Sequence, residues 1–342
     1  MNKNFFLILV LIVIVTIVAG CSSVDGNDYG DNDDNKEEDS SAKEKILSID
    51  PDPGPDEKLI TLYFKHKYSD YLVPEVRSVT RNKHSWEQVI VEELLKGPSQ
   101  HDRSSVMPLG IKVLDVTRKG ETVFVNLSQE LNSDIDLSGI PGKEDVPEEK
   151  RGEVKAEMKR LGIYSLVNSL TELEGITQVK LLVDNRSISY GDLDEDFANL
   201  MFPQSLDEVE KVNNIVVALS RDRSYILTPS ISVQTVFEGM IGEPKWDIVY
   251  SLLSRETASK DHLPSREELE RLWPVLINNI ELEDNFILDE EIKADGRAFV
   301  TVSFSVNYAS GKKEKMDNNM IIVVDEDNIW KVKLPEFVSD FR

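Results

Sequence analysis

Sixteen almost unbroken apolar residues, Phe5 to Gly20, run directly into Cys21, the only cysteine of the chain. Lys3 precedes the run, and Val18-Ala19-Gly20-Cys21 closes it. A basic start, an apolar stretch and small residues before a cysteine form the pattern of a lipoprotein signal, and residues 1–20 are set apart from fold reasoning on that ground. Small side chains at Ala19 and Gly20 let a peptidase close on the bond before Cys21, whose thiolate is the nucleophile that takes a diacylglyceryl group. Further acylation, with palmitate for example, completes the anchor. One acyl chain holds a protein marginally and two hold it stably, each buried CH₂ contributing about 0.8 kcal/mol. An uncleaved membrane anchor and an ordinary secretory signal are the alternatives. Sixteen residues fall short of the roughly 20 that span a bilayer, and an anchor gives no reason for a cysteine at that position. With a lipid or an uncleaved anchor, everything after Cys21 lies outside the cytoplasm.

About 320 residues follow the signal, room for two domains. A mature chain whose only cysteine carries lipid has no disulfide, no thiolate metal site and no cysteine nucleophile. The net charge of −24 argues against a nucleic-acid partner, which needs a basic face to release counterions. It also disfavours lying flat on anionic lipid, which leaves the acyl chains as the attachment.

Between Ser22 and Lys58 there are 13 acidic and 4 basic residues and almost no large apolar side chains. Such a stretch buries too little surface to offset its ordering entropy, so residues 21–58 read as a disordered, self-repelling acidic tether. Its aspartates do not make a calcium loop. An EF-hand needs Gly at position 6 and Glu at position 12; counted from Asp31 these are Lys36 and Ala42, and counted from Asp192 they are Phe197 and Pro203.

Period-2 alternation from Leu59 to Phe64 predicts a strand, and 71–79 a second extended piece broken at Pro74. Ser85 caps a helix carrying Trp86, Val89, Ile90, Leu94 and Leu95, and Gly97-Pro98 stops it. Ile111–Val116 and Thr122–Leu127 flank Arg118-Lys119-Gly120 as a hairpin. A longer helix is expected over about 147–173, then a strand over 178–183. This order predicts one sheet with helices on one face. A connecting region from about 192 carries an amphipathic helix near 206–219. Helical sequence from 232 to 253 is interrupted at Gly242-Glu243-Pro244, and Ser265 caps another helix. Strands at about 286–293, 297–308, 315–324 and 329–334 then make an antiparallel meander, a curved sheet wrapped on helices.

Five stretches, in this order and spacing, resemble the sporulation and spore germination domain called GerM. They are Leu62-Tyr63-Phe64; Leu72-Val73-Pro74-Glu75-Val76-Arg77-Ser78-Val79; Glu92-Glu93-Leu94-Leu95-Lys96-Gly97-Pro98; Met107-Pro108-Leu109-Gly110-Ile111-Lys112-Val113-Leu114; and Val123-Phe124-Val125-Asn126-Leu127. The resemblance implies a membrane-tethered exported protein of spore-forming or related Gram-positive bacteria. It also implies a domain similar to the ring-building modules of envelope channels, although related spore proteins often carry two such domains and one is visible here. Residues from about 229 resemble, more loosely, the NTF2-like cone. That resemblance rests on Phe237-Glu238-Gly239-Met240, then Trp246-Asp247-Ile248-Val249-Tyr250-Ser251-Leu252-Leu253-Ser254, then Trp330-Lys331-Val332. Such folds host enzymes, binders and inert modules alike.

The expected class is thus α+β, with a GerM-like α/β-layer domain at 59–191, a connecting region at 192–228 and an NTF2-like cone at 229–342. None of His66, His84, His101 and His262 has metal-ligand spacing, and they fall in polar segments; no nucleophile elbow or phosphate loop is present. On the long strand, Val300, Val302, Phe304, Val306 and Tyr308 are the expected packed face, without acid or base. Trp246, Trp273 and Trp330 are candidates for a ligand pocket, with core packing as the plainer role. Glu75 reads as a polar contact or turn anchor rather than a catalyst. No catalytic residue, cofactor or metal is expected. The partners expected are the membrane, through lipid on Cys21, and envelope or sporulation proteins. The function expected is a non-catalytic scaffold, with a ligand-binding or sensing role for the cone as the alternative.

Overall fold

Strand β1 (Glu57–His66) opens the folded chain. The structure, a computed structural model, describes residues 56–189, 192–193, 195–201, 215–256, 263–335 and 338. Residues 1–20 and the tether up to residue 55 lie outside them. Ile60, Leu62 and Phe64 point into the core, as alternation requires. Strand β2 (Leu72–Thr80) pairs antiparallel with β1 along its whole length, Pro74 opposite Tyr63. The expected break at Pro74 is therefore absent. A proline is tolerated on an edge strand whose missing N–H faces away from the ladder, and β2 has a strand on one side only.

Helix α1 (Trp86–Leu95) starts at Ser85, whose hydroxyl accepts from the Gln88 N–H at 3.1 Å. A two-residue strand β3 (Arg103–Ser104) takes the other edge of β1. β4 (Val113–Lys119) and β5 (Thr122–Leu127) form the expected hairpin, with Gly120 at φ +62° in its turn. Helix α2 (Arg151–Leu170) leads to β6 (Gln178–Val183), which runs parallel to β5, and β7 (Arg186–Ser187) follows. α2 carries Gly162 in mid-helix at a cost of about 1 kcal/mol against alanine. A Cβ there would lie 2.7 Å from the Val106 carbonyl oxygen, so the glycine is what lets the 105–107 segment reach the helix.

The strands of this first block form two sheets, not the single sheet expected. One has the order β2-β1-β3; the other runs β4-β5-β6-β7, with β8 (Leu219–Ser220) also on β6. The reason lies in the edges. β1 is flanked by β2 and β3, and β5 by β4 and β6, so neither central strand has an edge left for the other sheet. α1 and α2 pack against both, and their apolar faces share one core with Leu62, Phe64, Val123 and Val125. Helix α3 (Glu195–Met201) packs on α2. The helix expected near 206–219 falls largely outside the described residues. Its last part is extended, with Ile215 bridged to Ser189 and Leu219–Ser220 in β8.

Helices α4 (Pro229–Gly239) and α5 (Trp246–Ser251) are separated at Gly242, φ +65°, as the sequence predicts. Helix α6 (Arg266–Leu276) has a full capping box between Ser265 and Glu268. It runs straight into β9 (Ile277–Ile292), which starts nine residues before the expected position. Pro274 in the last turn of α6 limits further helix, and Ile277 and Ile280 begin the inward alternation of β9. β10 (Arg297–Tyr308), β11 (Lys313–Glu326) and β12 (Ile329–Val332) complete an antiparallel sheet in the order β12-β11-β10-β9. Register shifts near Val302 and Phe304 mark bulges, which bend a sheet locally. The result is a mixed α+β chain ending in a curled antiparallel half-barrel.

The inside of the half-barrel is filled. Val300, Val302, Phe304 and Val306 are wholly buried, and the Phe237 ring meets Phe304 at 4.8 Å and Phe286 at 5.1 Å. Each such side chain contributes about 1.5–3 kcal/mol by burial. Val73 of β2 belongs to this same core, and the Leu227 N–H donates to the Leu72 carbonyl at 2.9 Å. The start of β2 is therefore shared by the first block and the half-barrel. No helix among the described residues is long and apolar enough to cross a membrane.

Candidate functional site

Glu75, on β2, is fully buried. Its carboxylate accepts from Arg77 Nε at 2.7 Å, from the Ser99 hydroxyl at 2.8 Å and from the Ser99 backbone N–H at 3.1 Å. Burial pushes the Glu75 carboxyl up, but the Ser99 bonds and the Arg77 charge outweigh it and hold the group below the usual carboxylate range. Arg77 in turn donates to the Glu93 and Gly97 carbonyls at the end of α1. Arg103, also buried, places Nε 4.0 Å from Glu75 and donates through Nη2 to the Pro74 carbonyl at 2.8 Å and the Asp327 carbonyl at 2.7 Å. Asp327 lies in the β11–β12 turn, so Arg103 ties the first block to the half-barrel. With its oxygens committed, Glu75 holds structure, the role expected for it.

This network shapes an edge. The carbonyls of Leu72 and Pro74 turn away from β1, and alternation puts the backbone groups of Val76 and Ser78 on the same side. Neither residue has a backbone partner there among the described residues. An open groove of about 740 Å³ runs beside the stretch from Arg77 to Thr80, bounded by Asn82, Lys96 and Ser99, and Val76, just before that stretch, is 44 % exposed. β4 pairs with β5 alone, and its Leu114 is exposed.

A larger cleft of about 1100 Å³ opens where the first block meets α4 and α5. The loop after β1 (Tyr68–Tyr71), the turn at 142–144, one face of α2, the turn at 223–225 and the start of α5 form its walls. Met158 and Leu161 are buried beneath it. Tyr225 stacks on Tyr164 at 4.3 Å, and the Arg160 guanidinium lies over the Tyr225 ring at 5.2 Å. Lys143 pairs with Asp70 at 2.6 Å. Burial, Glu153 and Asp70 push the Glu157 carboxyl up.

Behind this wall lie two groups the sequence did not flag. His66, expected in a polar segment, is buried on β1, 1 % exposed. The Ser69 N–H donates to its Nδ1 at 3.3 Å, which makes Nδ1 the acceptor and leaves the ring proton on Nε2. Burial and the neighbouring Lys65 charge pull its pKa down to about 3. Lys65 is wholly buried, donates to the His66 and Lys67 carbonyls at 3.0 and 3.2 Å, and is pulled down by burial to about 8, with Asp70 opposing the shift. The signal that could have found them is the alternation itself. β1 reaches His66, and after Phe64 its last two residues are covered on both faces. His84 and His101 are exposed as expected, and His262 lies outside the described residues.

Trp246 and Trp273 meet edge to face at 5.7 Å. Trp273 is a core residue, whereas Trp246 borders the cleft. Trp330 packs on the half-barrel core from β12 and makes no ring contact with the other two among the described residues. Val18, Ala19, Gly20 and Cys21 lie outside the described residues. Among those residues no three His, Cys, Asp or Glu side chains gather as metal ligands.

Residues 61–189 match the family model described as Germane, sporulation and spore germination. The tandem GerMN domains of the sporulation protein GerM from Bacillus subtilis are 19 % identical, over 50 % of this chain and 48 % of that one, with a TM-score of 0.32. The chain thus spans about half the length of that tandem structure. The first GerMN domain of the same protein is 16 % identical over 48 % and 96 %, with a TM-score of 0.25. A candidate lipoprotein from Clostridium perfringens is 16 % identical over 49 % and 89 %, with a TM-score of 0.27. No curated protein matches the sequence. The two-sheet unit built on β1–β7, α1 and α2 is therefore a GerM domain of the sporulation and spore germination family, carried at residues 61–189.

Proposed function

We propose that this chain is a lipid-anchored, outward-facing envelope protein that acts by contact, as a scaffold or assembly component of a spore-envelope or cell-envelope complex. The observation that carries the reading is the GerM domain at 61–189, a sporulation and germination module, following an apolar run that ends in Cys21. The bare β2 edge beside its groove supports it, since an unpaired strand edge is a ready template for an added strand. The proposed layout is signal at 1–20, tether at 21–58, GerM domain at 59–191, connecting region at 192–228 and an NTF2-like domain at 229–342. Helices followed by a curled four-stranded antiparallel sheet support the last assignment. In this reading turnover plays no part, and Glu75, a fully buried carboxylate, serves the β2 edge.

The test is capture of partners from membranes of sporulating and vegetative cells with the full-length protein. Val76→Lys, at an exposed edge position, should abolish capture and leave the melting temperature unchanged. Undiminished capture by both Val76→Lys and Leu114→Lys would sink the edge mechanism. Cys21→Ala should remove fatty-acid labelling; labelling that persists would overturn the anchor.

A further inference from the structure

We propose that the cleft between the GerM domain and the helices α4 and α5 binds a glycan chain through hydroxyl and acetamido groups. Four cations line it (Lys143, Arg160, Lys245 and Arg266), and they face five carboxylates, Glu157 and Glu238 among them. In a chain of net charge −24 this near balance is local. It repels a strongly charged ligand of either sign and suits a neutral one that donates and accepts at many points. Lys143 and Arg266 are already paired, with Asp70 and with Asp247 and Glu270. Arg160 engages the Tyr225 hydroxyl and ring, but it, Lys245 and Glu157 have no ion-pair partner among the described residues, so Lys245, Glu157 and the remaining Arg160 N–H groups are open to a ligand.

The aromatic groups point the same way. Tyr71, Tyr225 and Trp246 are half-buried at the cleft wall; Tyr225 is already stacked on Tyr164 with Arg160 over its ring, so Tyr71 and Trp246 are the rings left to offer a face. A ring face is electron-rich and takes the polarised C–H face of a sugar, while the phenol hydroxyl bonds the sugar rim. A sugar hydroxyl both donates and accepts, so one residue of the chain can serve Glu157 and Arg160 together. An acetamide offers the same pair as separate N–H and C=O groups. The volume of about 1100 Å³ exceeds the roughly 300–1,000 Å³ of a small-molecule pocket, which favours an oligomer over a metabolite. A peptide is the competing oligomer, and it is recognised by adding to a strand edge or by filling an apolar groove. The cleft walls are helices and turns, its larger apolar residues Met158 and Leu161 are buried beneath the polar lining, and only Pro244 and Ile248 add half-buried aliphatic surface at the α5 end.

The experiment is a calorimetric and tryptophan-fluorescence titration of the purified full-length protein with the β-1,4-linked tetramer of N-acetylglucosamine. A length-matched peptide carrying both charges is the competitor. Saturable binding of the tetramer is expected, weakened about tenfold by Arg160→Gln and by Glu157→Gln, as for loss of a hydrogen bond to a charged group. Both positions carry solvent-reachable side chains, so the melting temperature should hold. Tyr225→Ala could loosen the stack on Tyr164, and Tyr225→Phe separates that effect by keeping the ring. Val76→Lys, on the distant β2 edge, should leave tetramer binding intact, which keeps this test separate from the scaffold reading. Absence of saturation into the millimolar range, unchanged affinity in both Arg160→Gln and Glu157→Gln, or binding of the peptide in place of the tetramer would each overturn the proposal.

Discussion

The GerM domain and the half-barrel bury different chemistry. Lys65, His66, Glu75, Arg103 and Lys159 are buried in the first. Among the described residues, the buried polar ones of the second are all serines: Ser232, Ser254, Ser303 and Ser305. One unit is specified by a network in which each charge depends on a partner, the other by apolar shape. Two small sheets cannot enclose their edges as a curled four-stranded sheet can. The GerM domain therefore uses arginines to hold the loops that its short strands leave open, as Arg77 and Arg103 do around Glu75. The lesson is that similar stability can rest on terms with opposite responses to pH and to truncation.

The largest expected effects set the two units side by side. Glu75→Ala should destabilise by about 3–5 kcal/mol, because it removes the buried carboxylate that Arg77, Arg103 and Ser99 converge on and leaves the arginines only their outer partners, Glu93 and Asp102. Phe304→Ala should cost a similar ~3–5 kcal/mol through a cavity. Urea unfolding measures both. The contrast appears in the repair: Glu75→Gln should recover only part of the loss, while Phe304→Leu should recover most of it. A Glu75→Ala loss below about 1 kcal/mol, the scale of an exposed pair, would break the comparison.

Gly162→Ala should cost about 1–3 kcal/mol by overpacking, despite the better helix propensity of alanine, because the new methyl group meets the Val106 carbonyl. A gain in stability would show that the 105–107 segment moves away freely.

The pH response should separate the units next. His66 has a folded pKa of about 3 against an ordinary 6.5. Below pH 6.5 the unfolded chain takes up a proton that the fold refuses, so stability falls as pH drops from 6.5 towards 3, with a limiting slope of about 1.4 kcal/mol per pH unit. Lys65, pulled down to about 8 from 10.5, acts with the same sign at the alkaline end: stability rises between pH 8 and 10.5. Chemical unfolding of His66→Gln across pH 4–7 should show a shallower acid limb than the parent protein. An unchanged limb would place the acid sensitivity elsewhere.

Two small effects test the half-barrel side. Ser265→Ala removes the capping box of α6 and should cost about 1 kcal/mol. Ser232→Ala should do the reverse. Its hydroxyl is buried in α4 without a hydrogen-bond partner, so its removal should stabilise by up to about 1 kcal/mol. A measured loss at Ser232 would mean that the hydroxyl has a partner, and the account of a purely apolar core would need revision.

Much of this was legible in the sequence because its causes are local. Ser85 and Ser265 mark helix starts by bonding N–H groups three residues on. Gly120 and Gly242 sit where the backbone turns left-handed. Alternation from Val300 to Tyr308 named the packed face of β10, with Tyr308 half-buried at its end and Ser303 and Ser305 also under cover near the bulges. Pro74 misled for a reason that is not local: whether a proline breaks a strand depends on which neighbour the strand has. β9 misled because its first residues follow a helix without a break.

What the sequence determined by itself is most of the longer elements, the packed face of β10 and the caps of α1 and α6, together with the five stretches that mark a GerM domain at 61–189. Those features depend on residues within a few positions of one another. The tertiary structure alone decided how the eight strands β1–β8 divide between two sheets and that Lys65 and His66 are enclosed. It also decided that Arg103 reaches Asp327 across 224 positions of sequence, and that a charge-balanced cleft opens beside α2. Each of these is set by which distant segment arrives to cover a residue, and burial, not residue type, then decides whether a charge is a solvated surface group or part of the frame.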